Sequence, residues 1–366
     1  MIPYGRQSIS EEDIAAVAEV LRGDWLTQGP TVERFEQTVI EATGARHAVA
    51  YSSGTAALHG ATAAAGLGPG DVVATSPLSF MASANCARYV GADVALIDID
   101  PATLNLDPTG VLPEHDALVA VHYAGLPVDL TELAVRPRVV IEDAAHALGA
   151  FTADGPVGNC AHSDMCCFSF HPVKPVTTAE GGVVTTNSDE YAEALRRFRS
   201  HGIVRRPERG EWYYEIDSLG FNYRLTDIQA ALGASQMVRL DEFICRRNEI
   251  ADRYRDELAD VDCVLPPSAP DGVRHGYHLF VIRVDDRATV FHALRERGIG
   301  VQVHYVPIHH HPISRNVMLP DSGLSMCDSV YEQIVSLPMH PSLTDDDQTT
   351  VIATLRDVLA TPSLMA

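Results

Sequence analysis

One side chain in this sequence offers a primary amine for covalent chemistry: Lys174, the only lysine in the chain, every other strongly basic side chain being arginine. A guanidinium stays charged and cannot condense with an aldehyde, whereas a lysine amine can lose its proton and form a Schiff base. Pro172 and Pro175 bracket it. Each fixes φ and lacks an N–H, so the lysine belongs to a stiff loop outside any central strand ladder. Composition alone also allows an ordinary leftover lysine in an arginine-biased chain.

Two other stretches bear on that reading. In Val139-Val140-Ile141-Glu142-Asp143-Ala144-Ala145-His146 an apolar run ends in two acids, with a histidine one helical turn further on. Acids at the carboxyl end of a parallel strand lie where open α/β sheets bind ligands. In Ser52-Ser53-Gly54-Thr55-Ala56-Ala57-Leu58 a strand runs into a small-residue turn that opens a helix, a place where free N–H groups accept an anion. Alone, each stretch reads equally as plain helix capping. Together, an amine, an acid and a phosphate cradle are the set that pyridoxal 5'-phosphate requires. Its aldehyde takes the lysine, its phosphate the helix start, and its pyridine nitrogen the carboxylate.

The elements that must position these groups alternate along the chain. Short apolar runs, His47 to Tyr51, Asp71 to Thr75, Asp93 to Ile97, Ala117 to Val121, Arg138 to Glu142, Met165 to Phe170 and Gly182 to Thr185, are separated by helical patterns. Strands apolar on both faces and alternating with helices predict a mostly parallel seven-stranded sheet sandwiched by helices, an α/β architecture. Before it, a capping box at Ser10 opens a helix with Ile14, Val17, Ala18 and Leu21 on one face, and a second helix carries Val32, Phe35, Val39 and Ile40 up to Gly44. From Thr226 one long helical stretch is expected to about Leu258. Beyond it a smaller α+β pattern follows: strand Tyr277 to Val284, helix Ala288 to Arg297, strand Gly300 to Tyr305, and a helix from Thr344 to Leu359. The expected organisation is a large domain, 1–240, and a small C-terminal one, 241–366, joined by the helix near 226–258.

Length, 366 residues, fits two domains, and 46% hydrophobic with 21% charged residues is ordinary for a globular protein. A formal net charge of -22 argues against nucleic acid or an anionic membrane as partner, since a phosphate backbone needs a basic face. It leaves room for a small phosphorylated ligand. No apolar signal core or spanning run is present, so a cytoplasmic protein is expected. The seven cysteines show no CxxC pair and read as reduced core thiols. His304, His309, His310 and His311 fall at neither helical nor alternating spacing, so a sugar-contacting loop is expected there and no metal. Arg205, Arg206 and Arg209 form one local basic cluster, near a diphosphate or merely solvating a loop.

With these residues in view, the sequence resembles the DegT-type nucleotide-sugar aminotransferases, fold type I pyridoxal phosphate enzymes, over nearly its whole length. The likeness is carried by Trp25-Leu26-Thr27-Gln28-Gly29-Pro30, Ser53-Gly54-Thr55, Glu142 to His146, Ser169 to Lys174, Gly220-Phe221-Asn222-Tyr223-Arg224-Leu225 and Val303-His304-Tyr305. It implies a catalytic set of Lys174 as Schiff-base lysine, Asp143 as partner of the pyridinium and His146 beside the cofactor. It further implies Phe80 stacked on the ring, Gly54, Thr55 and Ser169 on the phosphate, and Asn222 reaching it from the neighbouring subunit of a homodimer. Tyr305, His309 and Arg224 are the expected sugar contacts.

Within the family the likeness extends to the transaminases of pseudaminic acid synthesis, through His171 to Asn187, Phe198 to Ile203, Gly220 to Gln236, Val301 to His309 and Ser336 to His340. That implies amino transfer from L-glutamate to the 4-keto carbon of a UDP-linked 6-deoxy-N-acetylhexosamine. Alternatives remain: a dTDP-keto-sugar or aminocyclitol aminotransferase, or a cofactor-binding regulator without turnover. A dehydratase relative would carry His in place of Lys174.

Overall fold

All seven apolar runs form strands of one sheet in the computed structural model, which describes residues 1–360. They are β1 (His47–Tyr51), β2 (Val72–Thr75), β3 (Asp93–Leu96), β4 (Ala117–Val121), β5 (Val139–Asp143), β8 (Met165–Ser169) and β9 (Gly182–Thr186), in spatial order β1-β9-β8-β5-β4-β2-β3. Only β9 runs against its neighbours, pairing antiparallel with β1 and β8, so the sheet is mostly parallel as expected. A two-residue hairpin, β6 (Phe151–Thr152) with β7 (Gly155–Pro156), lies between β5 and β8.

Helices cover both faces because every strand is apolar on both. On one face α3 (Gly54–Ala64) and α4 (Ala82–Tyr89) bury Leu58, Ala61 and Cys86 against Val119, Ile141 and Cys167. On the other, α2 (Pro30–Thr43) packs Phe35 and Val39 against Cys166, Phe168 and Phe170. The period of two sends adjacent Cys166 and Cys167 to opposite sides. It also divides the acid pair. Glu142 faces His122 and Ser163, at 2.7 and 2.5 Å, and Asp143 faces the opposite way. Further on come α5 (Asp189–Phe198) and the hairpin β10 (Ile203–Arg205) with β11 (Tyr214–Ile216). The C-terminal part pairs β12 (Phe280–Arg283) with β13 (Ile334–Leu337) under α8 (Arg287–Glu296) and α10 (Asp345–Leu359), with α9 (Ser325–Tyr331) alongside. Its core is Tyr254, Phe280, Ile282, Val335 and Leu355.

Three expectations change. The stretch from Thr226 to Leu258 is two helices, α6 (Asp227–Met237) and α7 (Leu240–Glu257). The chain turns at Val238 and Arg239, where Arg239 Nη2 reaches back 2.7 Å to the buried Asp13 carboxylate. Gly300 to Tyr305 forms no strand, being tied only by single bridges from Ile299 to Ile2 and Gln302 to Ser336. The first helix, α1 (Glu11–Arg22), exists as read, capping box included, with Val17 and Ala18 of its apolar stripe half-buried. Ile14 and Leu21 are 53% and 57% exposed, and the helix is seated instead by Asp13, which accepts bonds from Ser235, Gln236 and Arg239. Finally, five cysteines are buried core thiols, but Cys245 is exposed and Cys263 half-buried.

Candidate active site

A cavity of about 440 Å³ opens at the carboxyl ends of β1, β5 and β8, walled by Gly54, Thr55, Phe80, Asp143, His146, Ser169, Lys174, His278, His304 and Tyr305 among others. Eight of the residues singled out from sequence are thereby brought together: Lys174, Asp143, His146, Gly54, Thr55, Phe80, Ser169 and Tyr305. The topology explains why, since the parallel strands deliver their ends to one edge.

Lys174 sits in the loop between β8 and β9. Its N–H closes a turn onto His171 O at 2.9 Å, and Thr178 N and Thr177 Oγ1 donate to Phe170 O, so the loop is stitched at both ends. Burial pushes the Lys174 amine down to about 8; the Asp143 carboxylate pulls it up and the Arg247 guanidinium pushes it down. Nζ lies 3.4 Å from His278 Nε2.

Asp143 ends β5. Ser83 Oγ donates to its Oδ2 at 2.6 Å and Ala145 N to its Oδ1 at 3.2 Å, which fixes the plane of the carboxylate. His146 packs against His278 with the rings tilted and their centroids 4.4 Å apart, and it meets the Tyr305 hydroxyl at 3.0 Å through Nε2. Burial, reinforced by the Lys174 charge, drives both imidazoles well below their ordinary range, so both are neutral. Burial also raises the Tyr305 hydroxyl.

The start of α3 lines the same cavity. Ser53 caps it by accepting from Ala56 N at 3.1 Å, and the helix's first internal backbone bond is made by Ala57. The amides of Gly54 and Thr55 therefore precede the bonded ladder and face an anion site. Gly54 is required sterically: a Cβ there would stand 2.8 Å from Ser169 Cβ. Phe80 is 60% exposed in the cavity wall, so it is no core residue; its ring lies 6.0 Å from that of Tyr305.

Three residues singled out from sequence are not in this wall. Asn222 is exposed on the segment before α6, and Arg224, two residues on, has a buried Nε without a partner among the described residues. His309 instead bonds Asp328 Oδ1 at 2.8 Å, because a short turn carries it past the cavity toward α9. The basic cluster is likewise elsewhere, Arg206 and Arg209 both pairing with Glu215 on the exposed hairpin.

Sequence reasoning missed His278 and Tyr4 in the wall, whereas His304, read as part of a sugar-contacting loop, is there. His278 precedes a strand by two residues, in a run read for its apolar neighbours. Only its polarity next to Tyr277 and Leu279, both buried, signals it.

Pyridoxal 5'-phosphate fits these residues. The amine, the fixed carboxylate and the open helix start lie around one cavity, and His146 Nδ1 and His278 Nδ1 are buried polar atoms without a hydrogen-bond partner among the described residues. Such atoms are costly unless a ligand satisfies them.

Fold and site together define a fold type I, pyridoxal phosphate-dependent aminotransferase. The model of the DegT/DnrJ/EryC1/StrS aminotransferase family matches residues 7–356, and the chain belongs to that family. It is 38% identical to the spore coat polysaccharide biosynthesis protein SpsC of Bacillus subtilis, over 98% of this chain and 97% of that one. Among solved structures, Spr1654 of Streptococcus pneumoniae in its PLP form superposes with a TM-score of 0.90 at 27% identity, covering 98% of both chains. PseC of Helicobacter pylori, an aminotransferase involved in the biosynthesis of pseudoaminic acid, superposes with a TM-score of 0.89 at 29% identity, covering 98% of this chain and 99% of that one.

Proposed function

We propose that this aminotransferase moves the amino group of L-glutamate to the 4-keto carbon of a nucleotide-linked 6-deoxy sugar, a UDP-4-keto-6-deoxy-N-acetylhexosamine of the pseudaminic acid type. The observation that carries the chemistry is the Lys174 amine and the Asp143 carboxylate in the wall of one cavity that also holds the α3 amides. The sugar rests on the likeness to PseC, with SpsC, named for polysaccharide biosynthesis, pointing to the same substrate class.

Bound pyridoxal 5'-phosphate supplies a reactive aldehyde carbon and a ring that absorbs electrons. The protein does the rest. Lys174, with its amine lowered to about 8, takes a proton from the donor Cα and returns one to the acceptor C4. Asp143, pinned by Ser83, places a fixed negative charge in the cavity wall. Gly54, Thr55 and Ser169 would hold the phosphate, Phe80 would stack on the ring, His146 would stand beside the cofactor and Tyr305 would contact the sugar.

The working unit in this reading is a homodimer. The outward face of α1 with Ile14 and Leu21, together with Trp212, Leu219 and Val238 at 80%, 81% and 84% exposure, is apolar surface that a second copy would cover. Asn222, with Arg224 beside it, then serves the partner's cavity. Residues 1–240 form the cofactor-binding unit and 241–366 the smaller one; the last six residues lie outside the described ones.

The test is incubation of the loaded enzyme with L-glutamate and a panel of UDP- and dTDP-linked 4-keto sugars, read by mass. Amination of the UDP-linked 6-deoxy-N-acetyl sugar is expected. Turnover confined to dTDP sugars, or to none, overturns the assignment.

A further inference from the structure

The histidine run that reads as metal-free by spacing is reorganised by the fold. A single 3-10 turn, Ile308–His310, sets the His309 and His310 rings side by side at 4.4 Å, and α9 presents Asp328 to both. His309 Nε2 and His310 Nε2 each lie 2.8 Å from the same oxygen, Asp328 Oδ1. The three candidate donor atoms all fall within 4.8 Å of one another.

We propose that His309, His310 and Asp328 form a binding site for a divalent transition metal of the zinc class, separate from the cofactor cavity. Two imidazoles and a carboxylate are a donor set for zinc, cobalt, nickel or copper rather than for magnesium or calcium, which prefer oxygen. Three protein donors leave a coordination position for water. The ion would take the place of the two Nε2–H groups that now converge on one oxygen, each imidazole keeping its ring proton on Nδ1.

The surroundings set its strength. The His309 side chain is 12% exposed, while His310 and Asp328 are 36% and 49% exposed, so the site opens to solvent on one side. His309 Nδ1 is buried with no hydrogen-bond partner among the described residues. Ligating histidines ordinarily donate from that nitrogen, and lack of such a partner costs about 10–100-fold in affinity. The site is therefore exchangeable. Its consequence is mechanical: Ile308 N donates to Pro77 O at 2.9 Å, and Tyr305 of the cofactor cavity is three residues earlier. An ion joining His309 and His310 to α9 secures the loop that carries Tyr305.

Chelator-treated, cofactor-loaded enzyme is titrated with Zn²⁺ by calorimetry and with Co²⁺ by its visible ligand-field bands, alongside His310→Leu, His310→Gln and Asp328→Asn. Retention of the cofactor absorbance band shows that each variant is folded. The expected result is one saturable Zn²⁺ per chain that raises Tm, with affinity at least about tenfold lower in the variants, as for loss of one donor. No saturable Zn²⁺ binding by the wild type, or equal binding by wild type and variants, overturns the site. Binding abolished by His278→Asn but not by His310→Leu places the ion in the cofactor cavity and also overturns it.

Discussion

Lys174 Nζ stands 3.4 Å from His278 Nε2, and the His278 ring packs in turn against that of His146, tilted, at 4.4 Å. The amine that the sequence isolates thus faces neutral imidazoles contributed by different parts of the chain. A neutral neighbour can hold the amine without competing for its charge. We expect His278→Phe to retain the cofactor band but to slow the single-turnover reaction with L-glutamate about 10²-fold, the scale of a misplaced reacting group. His278→Asn should recover part of the rate, which stopped-flow absorbance measures. An unchanged rate in both variants would make His278 a packing residue.

The lowered Lys174 amine has a sign that can be worked out. Its folded value is about 8 against an ordinary 10.5, so between those pH values the unfolded chain holds a proton that the folded chain has released. Stability of the cofactor-free protein therefore rises with pH across that window through this group, and the gain is absent below about 8, where both states are protonated. Denaturant unfolding at several pH values, as the difference between wild type and Lys174→Met, measures it. The rate of cofactor capture should climb through the same pH near 8.

Asp143 is oriented by Ser83, whose Oγ donates at 2.6 Å. Asp143→Asn should keep Lys174 able to bind the cofactor while cutting the glutamate half-reaction far more than Ser83→Ala. The latter loses one hydrogen bond to a charged group, about 1.5–3 kcal/mol, and should slow it roughly 10–100-fold. Rapid-mixing kinetics on the two variants gives the ranking, and equal effects would remove Asp143 from its role.

Much of this was legible because it depends on local pattern. Strands apolar on both faces announce a covered parallel sheet, and a parallel sheet sends Gly54, Asp143 and Ser169 to one edge whatever the details. What escaped depends on tertiary choices. Arg239 interrupts the helical stretch after Met237 to meet Asp13, thirteen residues into the chain, and no window of sequence contains both. The α1 stripe is legible as a stripe, but that Asp13 seats the helix while Ile14 and Leu21 stay exposed depends on Ser235, Gln236 and Arg239, far along the chain. His309 shows the same limit: spacing describes helices and strands, and a 3-10 turn followed by a contact with α9 obeys neither period.

The central claim is that Lys174 passes an amino group from glutamate through this cavity. Adding L-glutamate alone to the cofactor-loaded enzyme tests it in one cuvette. The account predicts loss of the near-visible cofactor band with release of one 2-oxoglutarate per site, and neither change in Lys174→Ala. A wild-type band that persists under saturating glutamate, with no 2-oxoglutarate formed, would contradict it.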